Sequence, residues 1–170
     1  MATLTDDEVA QVLVVQTADA YRLAAWILRD AGCAEDAVQE AAMAAWDARN
    51  KMRYADDPAA WFKKVVVNTC RDELRRLGRR QRIPLPRTLV DAGRFERSFC
   101  VREELEQAIE RLTSEEQVII ALRYGRDLTI PQIALLTGIA QGTAKSRLHH
   151  ALEHLRAALA AERRIEERVQ

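Results

Sequence analysis

The chain is poor in residues that break or cross-link a backbone. Six glycines and four prolines serve all 170 positions, and aromatics make up 5%. A sheet sandwich or barrel needs turn signals at short, regular intervals, so this scarcity argues against one. Three cysteines, Cys33, Cys70 and Cys100, form no CxxC pair. That excludes a zinc-ribbon or dithiol motif and reads as reduced thiols in a cytosolic chain. Long apolar runs are missing too. A stretch such as "VIIAL" at 118–122 falls far short of the ~20 residues that cross a bilayer, and Asp6, Asp7 and Glu8 stand where a secretory leader would be basic. The expected location is the cytoplasm. Net charge is absent as well, with 26 basic against 26 acidic residues.

That balance conceals a gradient. Residues 1–50 hold nine Asp/Glu against three Lys/Arg, and residues 51–100 hold thirteen Lys/Arg against six Asp/Glu. An acidic first third beside a basic middle suggests two partners of opposite character, although a mosaic of solvated faces has the same composition.

What is abundant is Ala, Leu, Arg and Glu, a helix-forming set. The pattern predicts a helix over 6–30, with a break near Thr17–Asp19, and a turn at "DAGC", 30–33. A second helix is expected over 34–50, a loop at "KMRYAD", and a third helix from Asp57-Pro58 to about Leu77. Asp suits the cap and Pro the first helical position. "GRRQRIPLPRTLVDAGRFERSFC" has no clear period and reads as a connector. Helicity resumes near Val101. Thr113 with Glu116, and Thr129 with Gln132, form capping-box patterns. Gly138 suits a left-handed helix stop, and a last helix is expected over about 141–162 with a fraying charged tail. The fold class is all-α: two small helical domains, 1–80 and 101–170, joined by a flexible linker at 81–100.

Three faces carry chemistry. On the second helix, Asp36, Glu40, Met43 and Asp47 recur at i, i+4, i+7 and i+11 and share one side with Gln39. This side could meet a basic protein surface, though spacing alone favours an ordinary solvated face. On the third helix, Phe62, Val66, Cys70, Leu74 and Leu77 form the apolar stripe. Lys64, Asn68, Arg71, Arg75 and Arg79 form a basic row, which Arg76, Arg80 and Arg82 extend. Such a row can track phosphates, and Tyr54 and Trp61 beside it could stack on unpaired bases. Core packing is the other reading of Trp61.

The third face follows a helical corner. Ala134 lies four residues before Gly138, Ile139 plugs the junction, and Ala144, Leu148, Ala151, Leu152 and Leu155 point inward on the next helix. Thr143, Lys145, Ser146, Arg147, His149, His150 and Glu153 point outward. A DNA-reading helix-turn-helix has this form, with the start of its second helix on base edges in the major groove. Lys, Arg, Ser and Thr suit bases or phosphates there. His150 and His154 are four apart, as metal ligands can be, but the sequence places no third ligand, so no metal is expected. Nothing resembles a nucleophile with its base or a phosphate-cradling glycine loop. The chain is read as a non-enzyme without a cofactor.

Three segments in this order, "AEDAVQEAAMAAW", "AAWFKKVVVNTCRDELRR" and "LTSEEQVIIALRYGRDLTIPQIALLTGIAQGTAKSRLHHALEHLR", resemble the bacterial RNA polymerase sigma factors. The small extracytoplasmic-function (ECF) class fits best. The resemblance spans roughly residues 18–160, and the length leaves no room for the extra domains of the larger sigma factors. It implies that Asp36, Gln39, Glu40 and Met43 meet the clamp helices of core polymerase. Tyr54, Trp61, Lys64, Asn68, Arg71, Arg75 and Arg76 would engage and open the promoter −10 element. Thr143, Lys145, Ser146, Arg147, His149 and His150 would read the −35 element. It further implies the polymerase flap and an anti-sigma protein as partners. Ala144 replaces the usual Val, His150 a common Arg, and Phe62 a Leu, while Gln141 is a weak cap. A stand-alone helix-turn-helix regulator, or an interaction module that has lost promoter binding, remains open at this point.

Overall fold

In a computed structural model, the structure describes residues 4–79 and 99–169, with side chains for 4–78 and 105–160. No strand occurs among the described residues. Most of the expected connector, with Arg80 and Arg82, lies outside them, as do the side chains of Arg79 and Cys100.

Helix α1 runs Asp6–Leu28. Thr5 and Glu8 form its capping box: the Thr5 N–H donates to Glu8 Oε2 at 2.8 Å and the Glu8 N–H donates to Thr5 Oγ1 at 3.2 Å. The expected break at Thr17–Asp19 is not there. Thr17 sends its hydroxyl back to the Leu13 carbonyl at 2.8 Å, a bond compatible with the helix. Arg29 ends the helix in the left-handed region at φ 55°. The "DAGC" turn contracts to Arg29–Asp30, because Asp30 caps α2 (Ala31–Asp47) by accepting the Cys33 N–H at 2.7 Å. Part of the expected "KMRYAD" loop is a short helix, α3 (Arg49–Arg53), which drives Met52 fully into the core.

Helix α4 is Pro58–Arg79. Asp57 caps it as the sequence predicts, accepting the Ala60 N–H at 2.9 Å. Phe62, Val66, Cys70 and Leu74 are buried along one stripe, while Leu77 is half-buried. Helices α1, α2 and α4 pack against one another in pairs. Ala20, Ala24, Ala34, Ala37, Ala41 and Ala45 are buried between them, and such small side chains let helix axes approach closely.

The second half comprises α5 (Phe99–Glu110), α6 (Ser114–Ile120), α7 (Ile130–Thr137) and α8 (Gln141–Val169). Both expected capping boxes form, at Thr113–Glu116 and Thr129–Gln132. After α6 the chain makes one wide π-helical turn, Ala121–Gly125, which no sequence signal announced. Gly125 is needed there: a Cβ would lie 2.6 Å from Trp26 Cε3 on α1. Gly138 stops α7 at φ 70°, its N–H donating to the Ala134 carbonyl at 2.9 Å. α8 starts at Gln141, so Gln141 is its first residue rather than its cap, and the helix runs past the expected 162 to Val169.

Each half is helical, and their interiors are continuous. Val118, Ile119, Leu122, Ile133, Leu136 and Ala144 belong to the same buried cluster as the α1–α4 core. A smaller cluster of Ala108, Leu112, Ile120, Ala151 and Leu155 joins α5 and α6 to α8.

Candidate nucleic-acid interface

The acidic face forms as expected. Asp36, Gln39, Glu40, Met43 and Asp47 are all exposed on α2, and Met43 is 64% exposed. Val38 and Ala45 are buried on the opposite side, and Ala42 is half-buried. The face also includes Trp46, which sequence reasoning passed over. Trp46 is exposed and carries the Arg49 guanidinium 5.1 Å from its ring centroid. Its signal was present, since it stands three residues after Met43. The face is therefore an apolar pair, Met43 and Trp46, framed by carboxylates. Aromatic and Met side chains of this kind are the usual anchors of protein interfaces.

The basic row lies along α4. Lys64 is exposed, Asn68 half-buried, and Arg71 donates to Asn68 Oδ1 at 2.9 Å. The Arg71 Nε is buried without a hydrogen-bond partner. Arg75 pairs with Asp72 at 3.2 Å and with Glu115 of α6. The Glu115 carboxylate holds the Arg75 guanidinium above its usual value. Trp61 is half-buried on the same side as the row, with part of its ring against the core, so the core reading and the exposed reading each describe part of it. Tyr54 is 76% exposed at the end of α3, just before α4 begins. Arg76 does not join the row: it turns to Glu73 at 2.7 Å, on the side of the helix that feels Glu40 of α2.

The last face belongs to the helix-turn-helix formed by α7, the Gly138 turn and α8. Ile139 is half-buried at the junction. Thr143, Lys145, Ser146, His149 and His150 are exposed at the start of α8, over buried Ala144 and Ala151. Arg147 is half-buried rather than fully outward, and it lines an open groove of about 410 Å³ with Thr113, Glu115, Glu116, His150 and His154. The Ser146 hydroxyl donates to the Thr143 carbonyl at 3.1 Å, which leaves its lone pairs outward as acceptors. His154 lies 2.8 Å from Glu116, and His149 and His150 each lie 3.4 Å from Glu153. No group of three metal-ligating side chains comes together among the described residues.

One charge cluster was not foreseen. Asp19 of α1 lies 2.7 Å from Lys63 Nζ, 2.5 Å from an Arg126 guanidinium nitrogen and 3.4 Å from Arg22. Hydrogen bonding to Lys63, reinforced by Arg126, pushes its carboxyl down to about 2 against the cost of its burial. The two thiols go the other way: burial raises Cys70 to about 12 and Cys33 to about 11. Neither is a ready thiolate, and Cys70 is buried in its stripe as its spacing predicts.

Comparison with known proteins turns these faces into a family. The description "Sigma-70 region 2" matches residues 16–80, and "Sigma-70, region 4" matches residues 102–155. RNA polymerase sigma factor SigV of Bacillus subtilis is 31% identical over 144 residues, 85% of this chain and 86% of that protein. ECF RNA polymerase sigma factor SigL of Mycobacterium tuberculosis is 34% identical over 149 residues, 82% of this chain and 81% of that protein. The chain is an ECF RNA polymerase sigma factor.

Solved folds agree with this sigma factor's architecture. The sigma factor RpoE of Bartonella quintana, in complex with the anti-sigma factor NepR, superposes with a TM-score of 0.64 at 21% identity, covering 89% of this chain and 96% of that one. CnrH in complex with the cytosolic domain of CnrY gives 0.58 at 21% identity, with coverage of 92% and 90%. No helix among the described residues of this sigma factor is long and apolar enough to cross a membrane.

Proposed function

We propose that this sigma factor is a dissociable, cytoplasmic specificity subunit that binds core RNA polymerase and directs it to a particular set of promoters. In this reading residues 1–80 and 101–170 are its two working units. The α2 face of Asp36, Gln39, Glu40 and Met43, extended by Trp46, meets the polymerase clamp helices. Tyr54, Trp61, Lys64, Asn68, Arg71 and Arg75 engage the −10 element, with Arg76 acting from the α2 side. Thr143, Lys145, Ser146, Arg147, His149 and His150 read the −35 element, and the second unit meets the flap. The observation that carries the reading is the pairing, in one chain of this family, of the exposed polar start of α8 with the Lys64–Asn68–Arg71–Arg75 row of α4.

The factor is not an enzyme on this account. It contributes binding energy that favours the opened promoter, and bond formation belongs to the core polymerase. Aromatics beside a basic row suit capture of an unpaired strand, and a helix in the major groove suits duplex readout. The two units therefore act on different forms of DNA. An anti-sigma protein is a further expected partner, since both structural neighbours above were solved as complexes, one of them with an anti-sigma factor.

Co-purification with core polymerase tests the reading. Reversing charge in Asp36→Lys with Glu40→Lys should abolish it while leaving duplex DNA binding in place. Retained co-purification would overturn the α2 assignment, and no complex with the unaltered chain would favour a stand-alone helix-turn-helix regulator, which has no need of an acidic α2 face.

A further inference from the structure

All three histidines of the chain stand on one helix, α8, at positions 149, 150 and 154. Each has a carboxylate beside it. His149 Nε2 and His150 Nδ1 lie 3.4 Å from the two oxygens of Glu153, and His154 Nδ1 lies 2.8 Å from Glu116 Oε1. The rings of His149 and His150 are 5.8 Å apart. Two imidazolium groups at that spacing repel, and a carboxylate beside both offsets the repulsion. Glu153 therefore lets both rings carry protons together.

The permanent charge of this face is small. Over 141–154 it comes from Lys145, Arg147 and Glu153 alone, a net of one positive charge. Arg147 is half-buried in the groove with Glu115 and Glu116, while Glu153 is exposed beside the histidines. Lys145 is thus the exposed permanent cation, and Glu153 opposes it. Arg156, about two turns beyond His149, is the next cation on this side. Neighbouring elements do not supply the missing charge. Across the groove, α6 offers carboxylates: Glu115, paired with Arg75 of α4, and Glu116, which accepts from Thr113 and faces His154. Helix α7 has no ionisable residue. From the α5 side, Glu106, Glu110 and Arg111 do not line the groove.

We propose that duplex binding by α8 takes up protons, which His149 and His150 accept as they meet the phosphates of the −35 element. The proposal rests on the reading of the start of α8 as a duplex-binding face. Imidazole is the side chain that changes charge near neutral pH, and a phosphate beside it favours the charged form. By linkage, affinity then rises as pH falls. Promoter engagement responds to pH through the helix that reads sequence, and Glu153 weakens the contact whenever the protons are absent.

The test is isothermal titration calorimetry of the full chain with a random-sequence duplex of about 20 base pairs, at low salt near pH 7, in buffers of different ionisation enthalpy. The dependence of the heat on the buffer counts the protons taken up. About one proton per binding event is expected, shared between the two rings, with affinity about tenfold tighter for each unit that pH falls through this range. His149→Gln with His150→Gln should lose both the uptake and the pH dependence, and if it binds too weakly to titrate, each single substitution should halve the count. His154→Gln, which removes the bond to Glu116, should keep both. Buffer-independent heat with the unaltered chain would overturn the proposal. So would uptake that survives substitution of His149 and His150, or that disappears in His154→Gln alone. No duplex binding by the unaltered chain between about pH 6 and 8 would instead overturn the reading of α8 on which the proposal rests.

Discussion

Replacing Asp19 with Asn probes the charge cluster that joins α1, α4 and the second half. The Asp19 carboxyl titrates at about 2 instead of 3.8 because Lys63 and Arg126 favour its charged form. At about 1.36 kcal/mol per unit, that depression corresponds to an upper limit of about 2.4 kcal/mol of folding stability. Solvent still reaches the group, and screening reduces the expected contribution to about 1 kcal/mol. The pKa is depressed on folding, so the contribution is complete above the unfolded value of 3.8. It fades as pH falls through the folded value of about 2, and about half is gone by pH 3. Urea unfolding of the native chain and Asp19→Asn should therefore differ by about 1 kcal/mol at neutral pH, with the gap halved at pH 3. A gap that is absent at neutral pH, or unchanged between the two conditions, would refute the reasoning.

Three further outcomes follow from burial and charge. Phe62 is fully buried between the helices of the first half, so Phe62→Ala should destabilise by about 3–5 kcal/mol, measured by thermal or urea unfolding. Arg71→Ala should lower the salt dependence of single-strand binding by about one phosphate contact, while Lys145→Ala should instead weaken binding to a promoter duplex by about 1–3 kcal/mol. Both are read by fluorescence titration across salt concentrations.

Local rules made much of the second half legible from the residues alone. The Thr113–Glu116 and Thr129–Gln132 boxes and the Gly138 stop are satisfied within a few residues, so their patterns sufficed. The α4 stripe followed from period alone. What escaped depended on distant partners. The break expected near Thr17–Asp19 rested on residues that disfavour helix interiors. Yet Thr17 bonds back to Leu13, and Asp19 finds Lys63 and Arg126. The "DAGC" reading missed that Asp30 caps as well as turns, and α3 depends on Met52 having a core to enter. The sequence announces neither the π-helical turn nor the seating of Gly125 on Trp26, because neither has a periodic signature. Arg76 extended the charge of the row in sequence, but it stands one residue, about 100° around the helix, from Arg75, and it pairs with Glu73 instead. Trp46 was readable from its spacing after Met43 but was hidden among the alanines of its helix.

Run-off transcription with purified core polymerase tests the central claim most directly. Templates drawn from a random promoter library should yield transcripts that require this chain and whose start sites share two sequence elements at fixed spacing. Lys145→Ala should relax the upstream element and Arg71→Ala should suppress opening at the downstream one. If no template gives a transcript that depends on the chain, the account of it as a promoter-specificity subunit is contradicted.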